Sequence, residues 1–243
     1  MKGGSPMTGQ EHYFSEKQTS ALQLKKITVS LKGDLGNLGD SFEMYTGAGV
    51  FSKDALDAGT RLLIESALIK KEWKVLDLGC GYGIVGIALM RRFPGLQIIM
   101  ADVNERAVFL SRKNVLLHNF RNARVVQSNL FEKIPQMFDA ILTNPPQSAG
   151  KEICLRLIDE SQHHLKPGGL LQLVARHNKG GSVLAHHMER VFGNLSISAK
   201  KGGYRVYVSA NGALENQGNQ TEGIQKKKEE EKKREQAKQR SKL

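Results

Sequence analysis

Apolar runs of strand length alternate with helical patterns through the middle of the chain. The predicted strands are WKVLDL, LQIIMA, ARVVQ, FDAILT and GLLQLVA. Helices are predicted over residues 84–92, 105–118, 152–165 and 182–191, and the second and third of these carry apolar residues on one helical face. Such alternation is typical of a parallel sheet with helices on both faces.

Two further pairs of runs indicate β-hairpins. Near the start, ITVSLKG and DSFEMYTG precede a predicted helix over residues 58–68. Near the end, LSISAKKGGYRVYVSA is interrupted by Gly202 and Gly203, which favour a tight turn between two antiparallel strands. The pattern therefore predicts an α/β domain with a hairpin at each end.

Both ends of the chain lack this apolar pattern. We expect residues 1–12 to be a flexible N-terminus, residues 13–210 to form one domain, and residues 211–243 to be a charged tail that is flexible or helical. Glu229 and Lys233 have the spacing of a helix-face pair, so a solvated helix is favoured over a nucleic-acid-binding arm.

Composition narrows the class of protein. The 243 residues are 40% hydrophobic, but the longest apolar run, residues 84–90, is too short to span a membrane, and no signal-peptide stretch is present. We therefore expect a cytoplasmic protein without a membrane partner. The two cysteines, Cys80 and Cys154, are too few for a disulfide framework or a cysteine-rich zinc site, and we expect no metal.

Charge points to a polyanionic partner. Lys and Arg number 36 against 24 Asp and Glu, which gives a net charge of +12. Residues 222–243 hold nine basic and five acidic residues, so the rest of the chain keeps a charge of +8.

The segment VLDLGCGYG carries the strongest local signal. A buried strand ends near Asp77 and breaks into Gly79, Gly81 and Gly83, a spacing that lets the backbone turn tightly against a ligand. Asp102 ends the next strand, where its carboxylate can accept hydrogen bonds from both hydroxyls of a ribose. Val103 can then pack on an adenine ring. A nicotinamide dinucleotide would fit the same pattern.

The segment TNPP distinguishes a nicotinamide dinucleotide from another ligand that contains adenosine. The fourth predicted strand is followed by Asn144, Pro145 and Pro146. They enter a loop over the ligand cleft that we expect beside the glycine loop and Asp102. The Asn144 amide and the Pro145 carbonyl offer two acceptors for one planar NH2 group, and this would localise the lone pair of that nitrogen. A reaction in which such an NH2 group attacks an electrophile would use this arrangement, whereas hydride transfer has no need of it.

Together these residues resemble the class I S-adenosylmethionine-dependent methyltransferases, within them the small-domain N-methyltransferases that include ribosomal-RNA guanine-N2 enzymes. The resemblance covers about residues 13–210, and it also rests on GVFSKDALDAGT, ADVNERA, SNLFE and KGGYRVY. It implies a Rossmann-like, doubly wound α/β fold. The expected sheet has seven mostly parallel strands with an antiparallel final strand, and an N-terminal β-hairpin extends it.

The resemblance also implies roles for individual residues. Asp77 and the glycine loop of Gly79, Gly81 and Gly83 would hold the methionine part of S-adenosylmethionine, and Asp102 and Val103 the adenosine. Asn129 would accept from the adenine amino group, and the Leu130 N–H would donate to the ring. Asn144 and Pro145 would be catalytic. Phe51, Asp57 and Thr60 remain equally well explained as core and helix-cap residues.

The expected function is N-methylation of an exocyclic amine in structured RNA, with guanine N2 of ribosomal RNA favoured. Transfer RNA, adenine N6 and protein glutamine N5 remain alternative targets, and Gln147, where adenine and glutamine enzymes present an aromatic residue, counts against the last two. A nicotinamide-dependent oxidoreductase and a non-catalytic RNA-binding protein are the other classes. The candidate phosphate contacts follow predicted strands and so lie at the rim of the cleft. They are Lys151, Arg176, His177 and Lys179.

Overall fold

A computed structural model describes residues 23–31, 41–48, 50, 56–145 and 150–212 of the chain. The strands of this part are β1 (Leu24–Ser30), β2 (Ser41–Gly47), β3 (Lys74–Leu78), β4 (Gln97–Asp102), β5 (Ala123–Gln127), β6 (Phe138–Thr143), β7 (Leu165–Arg176), β8 (Ser196–Lys201) and β9 (Tyr204–Ala210). The helices are α1 (Ala58–Glu65), α2 (Ile84–Arg92), α3 (Glu105–Leu117), α4 (Lys151–His164) and α5 (Ser182–Phe192). None of these helices is long and apolar enough to cross a membrane.

Seven strands form one sheet in the order β5-β4-β3-β6-β7-β9-β8. The five strands from β3 to β7 are parallel, and β9 lies antiparallel between β7 and β8. Strands β1 and β2 pair as a separate antiparallel hairpin. This arrangement confirms the predicted fold class.

The strands of the sheet are buried on both sides because helices cover both of its faces. Val75 of β3 packs in a core with α1, α2, α3 and the β1–β2 hairpin. The next residue, Leu76, packs in a second core with α4 and α5. Alternate residues of one strand thus contribute to opposite layers, as the pleat requires.

Most predicted element boundaries agree with the structure to within a residue or two. Three boundaries differ by more: β1 begins three residues and β7 four residues before the predicted runs, and α1, predicted to reach residue 68, ends at Glu65. Leu68 instead donates its backbone N–H to the buried Gln172 side chain and accepts a hydrogen bond from it, each at 2.8 Å. A contact 104 residues away in sequence therefore holds Leu68 outside the helix.

The strand order reverses at β3, which pairs with β4 on one side and β6 on the other. In open α/β sheets, ligands bind outside the carboxyl ends of the strands at such a switch point. Asp77 lies in β3 and Asn144 directly follows β6, so the fold brings the two predicted motifs to this position.

Several predictions fall outside the described residues. They concern residues 1–12, Phe51, Pro146, Gln147 and the tail beyond residue 212.

Candidate functional site

A cavity of about 430 Å³ lies at the carboxyl ends of β3, β4 and β6. Nine of the ten predicted site residues line it, namely Asp77, Gly79, Gly81, Asp102, Val103, Asn129, Leu130, Asn144 and Pro145. The fold therefore gathers residues from four separate segments of the chain around one space.

The glycine loop forms the floor of this cavity. Gly79 and Gly81 have positive φ angles of 74° and 56°, and a Cβ atom at either position would meet no atom within 4 Å. The loop is fixed by its backbone, because the N–H groups of Gly79 and Cys80 both donate to the Ala101 carbonyl, at 2.9 and 3.0 Å. The loop thus exposes bare backbone to open space, as a close-fitting ligand requires.

Gly83 is the predicted site residue that does not line the cavity. Its φ is 87°, and a Cβ there would approach Ser111 Oγ at 3.0 Å and Met100 Sδ at 3.1 Å. Its lack of a side chain serves the turn into α2 and the packing of that turn against α3 and β4.

Asp77 is a buried carboxylate at the cavity wall. Its side chain is 2% exposed, and Oδ2 accepts a hydrogen bond from the Gly86 N–H at 3.0 Å. Burial raises the pKa of Asp77 to about 7, and the negative charge of Asp102 adds to this effect. A cationic ligand in the cavity would favour the ionised form.

Asp102 joins the glycine loop to the start of α3. Oδ2 accepts from the Gly81 N–H and Oδ1 from the Asn104 N–H, both at 2.9 Å. A carboxylate offers about four acceptor positions, so Asp102 keeps acceptor capacity for a ligand. Asn104 is the N-cap of α3, as predicted, and this leaves Asp102 free of that role.

Asn129 and Leu130 lie beyond β5 on the far side of Asp102. The Asn129 Nδ2 donates to Glu132 Oε1 at 2.7 Å. Leu130 has a φ of 47°, an uncommon conformation for a leucine, and Ser128 Oγ donates to its carbonyl at 2.9 Å. The backbone is thus held in a strained turn that faces the cavity.

Asn144 is oriented by residues of α1. Its Nδ2 donates to Thr60 Oγ1 at 2.9 Å and lies 3.5 Å from Asp57 Oδ2. The other Asp57 oxygen, Oδ1, caps α1 by accepting from the Gly59 and Thr60 N–H groups. Because both contacts use the amide nitrogen, the Asn144 carbonyl oxygen accepts no hydrogen bond from the described residues and can accept one from a ligand in the cavity.

Asp57 and Thr60 are therefore site residues that the sequence left undecided between helix cap and ligand contact. They lie 84 or more residues before Asn144, so only the fold brings them together. Their spacing in GVFSKDALDAGT predicts the cap but gives no sign of the contact.

Tyr82 also lines the cavity. Among the described residues, its buried hydroxyl has no hydrogen-bond partner. Burial, followed by the charge of Asp57, raises the pKa of Tyr82 well above its usual value. The wall of the cavity thus holds a neutral hydroxyl whose hydrogen-bonding capacity is unused by these residues.

Arg176 and Tyr204 form the rim on the side of β7 and β9. The Arg176 guanidinium carbon lies 4.8 Å from the centre of the Tyr204 ring, and both residues line the cavity. The edge of the Tyr204 ring packs against Gly59, where a Cβ would approach it to 2.7 Å.

Known proteins resemble the chain in sequence and in fold. The family model Methyltransferase small domain matches residues 41–208. The uncharacterized protein YbxB of Bacillus subtilis is 39% identical over 199 residues, which is 81% of this chain and 96% of YbxB. Ribosomal RNA small subunit methyltransferase C of Shewanella amazonensis is 39% identical over 166 residues, 66% of this chain and 47% of that protein.

Among solved structures, the T. thermophilus 16S rRNA N2 methyltransferase RsmC, in complex with AdoMet and guanosine, has the same fold. Its TM-score is 0.66 at 22% identity, over 80% of this chain and 52% of that one. The chain thus spans nearly all of YbxB and about half the length of the ribosomal RNA methyltransferases that it matches.

Proposed function

Because the chain belongs to the methyltransferase small domain family, we propose that it transfers a methyl group from S-adenosylmethionine to an exocyclic amine of structured RNA. The favoured acceptor is guanine N2 of small-subunit ribosomal RNA. Such a substrate implies that the protein acts in the cytoplasm.

The orientation of Asn144 carries this proposal. With its nitrogen bonded to Thr60, the amide directs an acceptor oxygen at the cavity, next to Pro145. That oxygen and the Pro145 carbonyl would each accept a hydrogen bond from one N–H of an incoming NH2 group. Both bonds strengthen as the nitrogen becomes positively charged, so they stabilise the transition state more than the bound substrate.

The residues of the cavity fit the cofactor. S-adenosylmethionine supplies an electrophilic methyl group on a positively charged sulfur. Asp77 would balance the positive charge of the methionine part, and the open space above Gly79 and Gly81 admits it closely. Asp102 would accept hydrogen bonds from the ribose hydroxyls through its remaining acceptor capacity, while Val103, Asn129 and Leu130 would surround the adenine.

No strong general base is required by this chemistry. The ammonium product loses its proton readily to water, so the chain contributes mainly by aligning the amine with the methyl group. Proximity and orientation of this kind account for a large part of many enzymatic rates.

RNA is favoured as substrate by charge and by the relatives. Residues 1–221 carry a net charge of +8, which suits a polyanion. Several relatives are named as small-subunit ribosomal RNA methyltransferases, and T. thermophilus RsmC is named as an enzyme that methylates N2 of a guanine in 16S rRNA. These names belong to longer proteins, so the substrate is inferred for this chain.

The test is methylation of small-subunit ribosomal RNA transcribed in vitro, which carries no modifications. The chain is incubated with S-adenosylmethionine labelled in its methyl group, and the RNA is digested to nucleosides for mass spectrometry. We expect labelled N2-methylguanosine, and its formation should be at least ~100-fold slower with Asn144→Ala. Labelled N6-methyladenosine would overturn the choice of base. Label in transfer RNA or protein but not in this RNA would overturn the choice of substrate, and no label anywhere would favour a non-catalytic protein.

A further inference from the structure

Positively charged residues are concentrated in the last part of the domain sequence. Residues 165–211 contain seven Lys or Arg and one acidic residue, Glu189. An excess of this kind in one stretch of a folded domain indicates a surface for a polyanion.

The topology brings five of these basic residues to the end of the sheet that holds the cavity. Strand β7 ends there at Arg176, and the irregular turn His177–Gly181, which carries Lys179, follows. Because β9 is antiparallel to β7, the β8–β9 turn also lies there, with Arg176 opposite Tyr204. The His177 N–H donates to the Gly203 carbonyl at 2.9 Å and joins the two turns. We call Arg176, Lys179, Lys200, Lys201 and Arg205 the basic rim.

A second concavity of about 360 Å³ lies between these two turns. Its lining comprises His177, Asn178 and the continuous segment from Lys200 to Arg205. Tyr204 lines both this groove and the main cavity, so the two spaces adjoin at this residue. A ligand that occupies the cavity could therefore continue directly into the groove.

The charges of the basic rim are not neutralised by the described part of the chain. No carboxylate there forms an ion pair with any of the five, whereas Lys166 of the same stretch pairs with Asp139 at 2.8 Å. Partial burial, and then the charges of Arg205, His186 and Lys200, lower the pKa of His177, which accords with an electropositive groove.

We propose that this groove binds the sugar–phosphate backbone of the RNA beside the nucleotide whose base enters the cavity. The inference rests on the proposed function and adds the place where the substrate is held. Lys200, Lys201 and Arg205 would contact phosphates, and Arg176 with Tyr204 would mark the point where the target nucleotide leaves the RNA. Contacts of this kind position the RNA without reading its sequence.

A matched pair of variants tests the groove. Lys200→Gln/Lys201→Gln removes two exposed charges from it. Arg121→Gln/Arg124→Gln removes two exposed charges near the start of β5, at the opposite edge of the sheet and away from the cavity. Both pairs lower the net charge equally, so any difference between them reports position.

Affinity for small-subunit ribosomal RNA transcribed in vitro is measured by filter binding over a series of salt concentrations. The groove variant should bind at least ~10-fold more weakly near ~0.1 M salt, and its plot of log affinity against log salt should be shallower by roughly 1.4–1.8 for two lost contacts. The control variant should change affinity by less than ~3-fold. Calorimetry should give the same S-adenosylmethionine affinity for the groove variant and the control variant. Arg205→Gln provides an independent groove variant.

Equal losses in the two double variants, or no loss in either, would overturn the groove as the RNA site. So would a groove variant that methylates RNA more slowly with unchanged RNA affinity. If the unsubstituted chain methylates RNA and the groove variants keep its KM for RNA, the inference fails and the proposed function stands. If the unsubstituted chain does not methylate RNA at all, the proposed function itself fails.

Discussion

At the residue scale, the site depends on how Asn144 is held. A free asparagine amide can present either its oxygen or its nitrogen to a substrate, and only the oxygen can accept from an amine. Thr60 and Asp57 both contact Nδ2, and because a carboxylate can only accept, Asp57 selects the orientation that turns this nitrogen toward it. In the proposed reaction these two residues would be positioning residues that act through Asn144.

Thr60→Val tests this selection. Valine keeps the shape of Thr60 but removes the acceptor for Asn144 Nδ2, so we expect the kcat for methylation of RNA to fall by about 10- to 100-fold. The affinity for S-adenosylmethionine and the melting temperature should change little. Thr60→Ser restores the hydroxyl and should recover most of the kcat. Equal losses in the two variants would mean that Thr60 serves packing alone.

Asp77 makes a second prediction at this scale. Its pKa is about 7 in the folded chain and lies near 3.8 when unperturbed, so the stability that it contributes is lost as pH rises through about 7. Asp77→Asn removes this buried charge and keeps an oxygen for the Gly86 N–H. Without ligand, the variant should melt a few degrees higher at pH 8, and the gain should shrink toward pH 5. A gain that is constant across this range would contradict the raised pKa.

At the element scale, the ends of the helices decide which side chains reach the cavity. Asp57 starts α1 and also contacts Asn144, while Asn104 caps α3 and leaves Asp102 for the cavity. The end of α1 is set by Gln172 of β7, whose buried side chain bonds to both backbone groups of Leu68.

Gln172→Leu should therefore destabilise the domain. The substitution leaves the Leu68 N–H and carbonyl without their protein partner, and we expect a loss of about 1–3 kcal/mol in the free energy of unfolding, measured with urea. Ser161→Ala is the comparison, because the Ser161 hydroxyl bonds the Leu157 carbonyl within a helix. It should cost less than Gln172→Leu. A Gln172→Leu variant as stable as the unsubstituted chain would contradict a stabilising role for these two hydrogen bonds.

At the scale of the whole molecule, the sequence predicts the fold well because its signals are local. Runs such as FDAILT and the glycine loop after Asp77 are visible within ten residues, and right-handed connections between parallel strands leave few arrangements for them. Nine of the ten predicted site residues line one cavity for the same reason, since each ends or follows a parallel strand.

The remaining features depend on distant contacts. Thr60 and Asn144 are 84 residues apart, and Gln172 and Leu68 are 104 apart, so neither pair has a signature within one segment. From the sequence, Gly83 could equally be a ligand contact or a position where close packing requires glycine. The structure favours packing, because Ser111 and Met100 lie close to it. The basic groove likewise requires the register that sets Arg176 opposite Tyr204.

The central claim is that this cavity transfers a methyl group to an amine held by Asn144. Its most direct test is the single-turnover rate of methyl transfer to small-subunit ribosomal RNA by Asn144→Ala, measured together with the affinity for S-adenosylmethionine. We predict a rate at least ~100-fold lower than that of the unsubstituted chain, with a cofactor Kd within ~3-fold of its value. A variant that transfers methyl groups at an unchanged rate would contradict the account.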